Sequence, residues 1–210
     1  MKLYLPSDKI QVSVIEIAIE TNNTLSDRSI KLYYESDESK HTNFILPTPQ
    51  IIDGNIIPKL NWYYQHRGIA MENAESNFNY LSQVLTKYFS TRVYPTESKP
   101  LEHLDFMGKR NLLSNWLIKK DEMFHDIQEL MTVRSRKKFT SLFYEYILDR
   151  NIFAHGIFVF CIIKNNFYIE HKRPATYETV YAVMTNETLS SFFESGKYLR
   201  KVMTEMESKL

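Results

Sequence analysis

Phe139-Thr-Ser-Leu142-Phe143-Tyr144-Glu145-Tyr146-Ile147-Leu148-Asp149-Arg150-Asn151-Ile152-Phe153-Ala154-His155-Gly156 is the stretch on which the reading of this chain turns. At about 100° per residue, Phe139, Leu142, Phe143, Tyr146, Ile147 and Phe153 fall on one apolar stripe, which predicts a helix from about Lys137 to Ala154. Arg150 sits in the middle of that stripe, where the pattern calls for Leu. A buried guanidinium requires a compensating anion or dense hydrogen bonding, so Arg150 needs a carboxylate, a subunit interface or a phosphate. Gly156 is placed to take the left-handed position that commonly ends a helix.

Downstream, the run Ile157 to Ile163, the turn residues Lys164-Asn165-Asn166 and Phe167-Tyr168-Ile169 read as a β-hairpin, spanning about 157–171. A last helix covers about Glu187 to Ser208, capped by Asn186 and packed through Leu189, Phe192, Phe193, Tyr198, Leu199, Val202 and Met206. Upstream, Leu60, Tyr64, Met71, Phe78, Leu81, Leu85 and Phe89 recur at helical spacing over Lys59 to Ser90, and Tyr94-Pro95 stops that helix. A further helical region runs from Pro100 to about Val133 through Leu104, Leu112, Trp116, Met123, Ile127 and Leu130, with a break near Lys119 to Asp121. Residues 10–20 and Ile30 to Tyr34 have β character, joined through Thr21 to Asp27. The polar segment 36–42 and the stretch Pro47 to Pro58, with Asp53-Gly54, read as exposed connections. With only 5 Gly and 7 Pro, long helices are favoured over a many-stranded barrel. The expectation is a mainly α fold with a small β component. Residues 1–57 form a mixed extension and residues 58–210 an antiparallel helical bundle carrying the hairpin.

The chain has 210 residues, 43% of them hydrophobic, enough for one sizeable core. A net charge of +1 excludes bulk-charge binding of nucleic acid, so any such contact is local. The lone Cys161, within an apolar run, gives neither a disulfide framework nor a zinc set and suits a reducing compartment. Pro6 and Asp8 interrupt any signal-peptide core, and no apolar run approaches the roughly 20 residues of a membrane span. A cytoplasmic protein without a membrane partner is expected.

Among chemistry-bearing residues, Arg150 and His155 stand five positions apart near a helix end. An imidazole with an ordinary pKa of about 6.5 serves as general acid or base. A guanidinium offers a planar fork of donors suited to a charged phosphorus centre. On an unbroken helix the two lie about 140° apart, so convergence calls for an end or bend near Ala154. Asn151 is positioned to orient either one. A plainer reading pairs Arg150 with Asp149 or Glu145 and lets His155 cap helix carbonyls. Arg134, Arg136, Lys137 and Lys138 form the densest basic cluster, about 20 Å before Arg150 along the helix axis. It suits guidance of an RNA backbone, or a solvated helix end. Glu122-x-x-His125 has di-iron bundle spacing, but its second copy, Glu38-x-x-His41, falls in a polar loop, so no metal site and no cofactor are expected.

Arg150-Asn151-Ile152-Phe153-Ala154-His155-Gly156, inside a helical layout, resembles the signature of the HEPN superfamily of nucleases, in which four to six residues separate the Arg from the His. The polar residue after the Arg, the small residue before the His and the later C-terminal helix are usual in that family. The resemblance covers about residues 58–210. It implies a metal-independent endoribonuclease acting as a homodimer, with a composite active site to which each protomer brings Arg150, Asn151 and His155. It also implies a toxin or phage-defence setting with an antitoxin or defence-system partner. HEPN toxins controlled by a nucleotidyltransferase often carry Tyr two positions after the His, where this chain has Ile157. The alternative is a catalytically silent HEPN-like module that binds RNA or a protein.

Overall fold

The structure is a computed structural model that describes residues 4–5, 15–21, 24–33, 56–96, 98–161, 166–172 and 179–210. The expectations for 36–42, including Glu38 and His41, for 47–55, and for the turn at 164–165 lie outside these residues. The described chain is mainly helical with a small sheet. It divides into two compact units, one comprising Met1–Arg67 and Ile152–Thr188, the other Gly68–Asn151 and Leu189–Leu210. Three long helices, α1 (Ile56–Ser90), α3 (Val133–His155) and α4 (Asn186–Glu207), contribute segments to both.

The first unit holds the sheet. The expected hairpin is present as β4 (Ile157–Cys161) and β5 (Asn166–Lys172), paired antiparallel with Phe158 opposite Ile169. Sequence reading left out β6 (Thr179–Val183), which extends the hairpin antiparallel to β5. It also kept the N-terminal β segments apart. In the structure β3 (Thr24–Tyr33) runs parallel to β4, β2 (Ile15–Thr21) pairs antiparallel with β3, and β1 (Tyr4–Leu5) borders β6. The order is β1-β6-β5-β4-β3-β2. Alternation of side chains identifies a strand but not its neighbour, and a parallel neighbour reached through two long helices leaves no local mark. Phe158, Phe167, Ile169 and Ala182 are buried on one sheet face. Tyr63 of α1 packs there with its ring 5.2 Å from Phe167 and 5.7 Å from Phe158.

The second unit is a packed helical core. Its α1 segment buries Ala70, Ala74, Asn77, Leu81, Val84, Leu85 and Tyr88, whereas Met71, Phe78 and Phe89 of the expected stripe are only half-buried. Small residues take the innermost line because neighbouring backbones approach closely there. Beyond Pro100 the expected helix is shorter. Asp105 caps α2 (Phe106–Leu112) by accepting from the Gly108 N–H at 2.7 Å, and a wider π-helical stretch, Leu113–Ile118, follows. The helical path stops before Asp121, at the expected break, and Glu122–Phe124 is a single 3-10 turn. Ile127 and Leu130 are nonetheless buried, whereas Met123 is half-buried and its neighbour Phe124 takes the inside position, so the apolar spacing reported burial only in part where it was read as helix. Helix α3 starts earlier than expected. Thr132 and Ser135 cap it reciprocally: the Ser135 N–H donates to Thr132 Oγ1 and the Thr132 N–H to Ser135 Oγ, both at 3.0 Å. At α4 the cap is Thr185 rather than Asn186, with the Thr188 N–H donating to its Oγ1 at 3.2 Å.

One polar network lies inside this core. Asn77 Nδ2 donates to the Tyr146 hydroxyl at 3.0 Å and to the Gly196 carbonyl at 3.3 Å, while Tyr146 donates to Asn73 Oδ1 at 2.9 Å. Burial pushes the Tyr146 hydroxyl up to about 12. A Cβ on Gly196 would stand 2.6 Å from Asn73 Oδ1 and 3.0 Å from Asn77 Nδ2, so α1 and α4 pack at this distance because residue 196 has no side chain. Gly196→Ala is expected to cost about 1–3 kcal/mol of stability by displacing these amides. Urea unfolding with an unchanged m-value checks this, and a wild-type midpoint would remove Gly196 from the account.

Candidate active site

Helix α3 continues unbroken through His155, and the Gly156 N–H still donates to the Ile152 carbonyl at 2.9 Å. The bend expected near Ala154 is absent, and Gly156 is not left-handed. Arg150 and His155 therefore leave the helix about 140° apart. What links their faces is Asn151. Arg150, half-buried, donates from one terminal nitrogen to Asn151 Oδ1 at 3.2 Å, turning its head away from the apolar stripe. Asn151 and His155, four residues apart, are neighbours on one face of α3.

Among the described residues Arg150 makes no ion pair. The two carboxylates considered for it behave otherwise. Burial, with the nearby Glu145 charge adding to it, pushes the Asp149 carboxyl up to about 7, a state a bonded guanidinium would oppose. Of the stripe, Phe139, Phe143, Tyr146, Ile147 and Phe153 are buried as expected and Ile152 joins them, while Leu142 is only half-buried.

His155 is exposed at the last position of the helix. The carbonyls there go to a residue that sequence reading missed. Arg67 of α1 donates to the Ala154 carbonyl at 2.7 Å and to the Gly156 carbonyl at 3.1 Å, and its guanidinium lies 5.4 Å over the Phe158 ring. Burial lowers its pKa from the usual Arg range. A cation at a helix C-terminus is favourable, and this one reaches 87 and 89 positions along the chain, which no local pattern reveals. His171 on β5 was also passed over. Its pKa is lowered by burial first and then by the charge of His155.

Of the basic cluster, Arg134, Lys137 and Lys138 are exposed on the first turns of α3. Arg136 folds back to donate to the Leu130 carbonyl at 2.9 Å and the Met131 carbonyl at 3.3 Å, so it closes the preceding turn. Glu122 and His125 do not share a helix face. Glu122 opens the 3-10 turn, and a ring nitrogen of His125 bonds the Ile118 carbonyl at 3.1 Å. A groove of about 540 Å³ between α1 and α4 carries Lys197, Arg200 and Lys201. They engage Glu194 at 2.7 Å, Ser76 at 2.8 Å and Glu129 at 2.7 Å, so this groove is a seam of internal contacts. Among the described residues no helix is long and apolar enough to cross a membrane. Compared with known proteins, the chain matches no family model, no curated protein and no solved structure.

Removing the Arg67 clamp frees two carbonyls at the end of α3. Arg67→Ala is expected to cost about 1–3 kcal/mol and to speed amide exchange at Ala154, His155 and Gly156, with Arg67→Lys intermediate. Unchanged exchange there would refute the clamp. For Asp149 the sign follows from its raised pKa. The folded protein keeps a proton that the unfolded chain, at the ordinary 3.8, has lost, so stability falls as pH rises from about 4 to about 7. Asp149→Asn should flatten that decline, worth about 2–4 kcal/mol, in thermal melts across this window.

Proposed function

We propose that this chain is a metal-independent endoribonuclease of HEPN type, working as a homodimer whose composite site takes Arg150, Asn151 and His155 from each protomer. One observation carries the reading: a guanidinium on an otherwise buried stripe has no carboxylate among the described residues, and is turned by Asn151 toward the helix face that ends in an exposed His155. That is an arrangement in want of an anion. Transesterification needs proton transfer at the attacking 2′-hydroxyl and the leaving 5′-oxygen, together with stabilisation of a phosphorane; imidazole and guanidinium supply these. The homodimer is supported by the same face of α3. Val133 is 60% exposed and Tyr144 41%, in line with Lys137, Asn151 and His155. Lys137 and His155 are separated by eighteen residues, five turns of one helix, so both lie on that face about 27 Å apart. A toxin or phage-defence setting goes with this family reading.

The second reading, a catalytically silent module of the same kind that docks RNA or protein, is favoured by the roughly 140° between Arg150 and His155 within one chain. The two readings separate on labelled single-stranded and structured RNA in excess EDTA. Cleavage by the wild type, lowered by at least about 100-fold in Arg150→Ala and in His155→Ala of matched folding and oligomeric state, is expected. Activity unchanged in both variants would sink the site assignment, and binding without cleavage would favour the silent module. Lys137→Gln and Lys138→Gln should weaken RNA binding across sequences and lower the salt slope by about 1 for each phosphate that is no longer neutralised.

A further inference from the structure

We infer that His171 on β5 is a second acid–base residue of the centre that presents His155, so that two imidazoles of one chain divide proton transfer on the RNA phosphodiester. This rests on the ribonuclease reading above.

The argument begins with register. β4 and β5 are antiparallel with Ile157, two residues after His155, opposite Glu170, the residue before His171, so the register brings the start of β4 and the His171 end of β5 together. The approach is close. A Cβ on Gly156 would lie 2.0 Å from Ile169 Cγ2 and 3.2 Å from the Glu170 carbonyl, which presses β5 against the end of α3. Arg67, clamping the Ala154 and Gly156 carbonyls, fixes the direction of that turn. His171 shares the β5 face of buried Phe167 and Ile169 and is itself half-buried, with Val180 of β6 opposite. His155 is exposed. Among the described residues the charged groups beside the pair include Arg67 from α1, and Glu170 and Lys172, which point to the other face of β5.

The two environments suit opposite roles. Burial and the neighbouring His155 charge favour a neutral His171 imidazole, which accepts a proton. In the proposed step neutral His171 takes the proton of the 2′-hydroxyl as the 2′-oxygen bonds to phosphorus. The bond from phosphorus to the 5′-oxygen breaks, and protonated His155 gives its proton to that departing oxygen. The products are a 2′,3′-cyclic phosphate and a 5′-hydroxyl, and the pair resets by exchanging protons with water.

The test uses two RNA substrates, one ordinary and one with sulfur in place of the bridging 5′-oxygen at the scissile link, whose thiolate departs without a proton. His171→Asn, with His171→Gln as a second isostere, is expected to lower kcat about 100-fold on both substrates, with KM within about 2-fold. His155→Ala should lose comparable activity on the oxygen substrate and recover most of it on the sulfur one. Ring-proton NMR titration, which needs no activity, should move the His171 midpoint upward in His155→Ala. Wild-type cleavage by a His171 variant of unchanged melting temperature, or a His171 midpoint unmoved by His155→Ala, overturns the assignment. A wild type inert on both substrates overturns the ribonuclease reading and the proton-transfer role with it, while a shifted midpoint would still establish the coupled pair.

Discussion

The passage from helix to strand at Gly156 is the constraint on which the sheet unit depends. Helix α3 ends at His155 and β4 begins at Ile157, so a single residue turns the chain from one geometry to the other. That residue has no room for a side chain beside Ile169 and the Ile152 carbonyl, and its own carbonyl is held by Arg67. Were this turn longer, the last helical residue would be free of the sheet. Because it is one residue, the register of β4 against β5 also sets where β5 passes His155.

The helical unit applies the same economy of side chain at another place. Ala70, Ala74 and Gly196 let backbones come close, and the space between them is filled by amides and a phenol that satisfy one another. Neutral groups bonded on more than one side hold a particular alignment of α1 and α4, since sliding either helix would strand a buried donor. Lys109 follows this logic with a charge: 6% exposed, it donates to Ser82 Oγ at 2.8 Å and lies 4.1 Å above the Phe78 ring, and burial lowers its pKa.

Much of the helical layout was legible because its signals are local. Apart from half-buried Leu142, the apolar stripe from Phe139 to Phe153 is buried as read, the stop near Pro95 and the break before Asp121 are where the sequence puts them, and α4 spans nearly the expected residues. Errors arose where two local signals looked alike. Ile127 and Leu130 have helical spacing and are buried, yet they line a run of turns, since spacing reports which side chains are inside and not the backbone that delivers them. Thr185 displaced Asn186 as a cap because either residue type serves, and one position decides it. The sheet was only half visible: the parallel β3–β4 pairing is a long-range fact, whereas β6, which pairs with the strand just before it, simply went unread. At the candidate site, Arg150, Asn151 and His155 stood out by pattern. Arg67 and His171 did not, since an Arg on a long helix and a His on a strand acquire meaning only from what the fold places beside them.

That contrast bears on how the motif works under the proposed reading. A straight helix sends Arg150 and His155 to different faces, so the spacing of the motif by itself does not build a phosphate site. Two corrections act on this geometry. Asn151 draws the Arg150 head around the helix toward the face of His155, at the modest strength of one hydrogen bond of 3.2 Å. β5, which carries His171, passes against the end of α3, where Gly156 lies beside Ile169 and the Glu170 carbonyl. Neither correction needs the helix to bend, and both leave the apolar stripe intact for packing. Under the proposed reading a phosphodiester at the end of α3 would meet imidazoles belonging to the helix and the sheet. Pairing with a second copy along the exposed face of α3 would add the same groups from the other side, which is why an unbroken motif helix favours a composite site over a bent one.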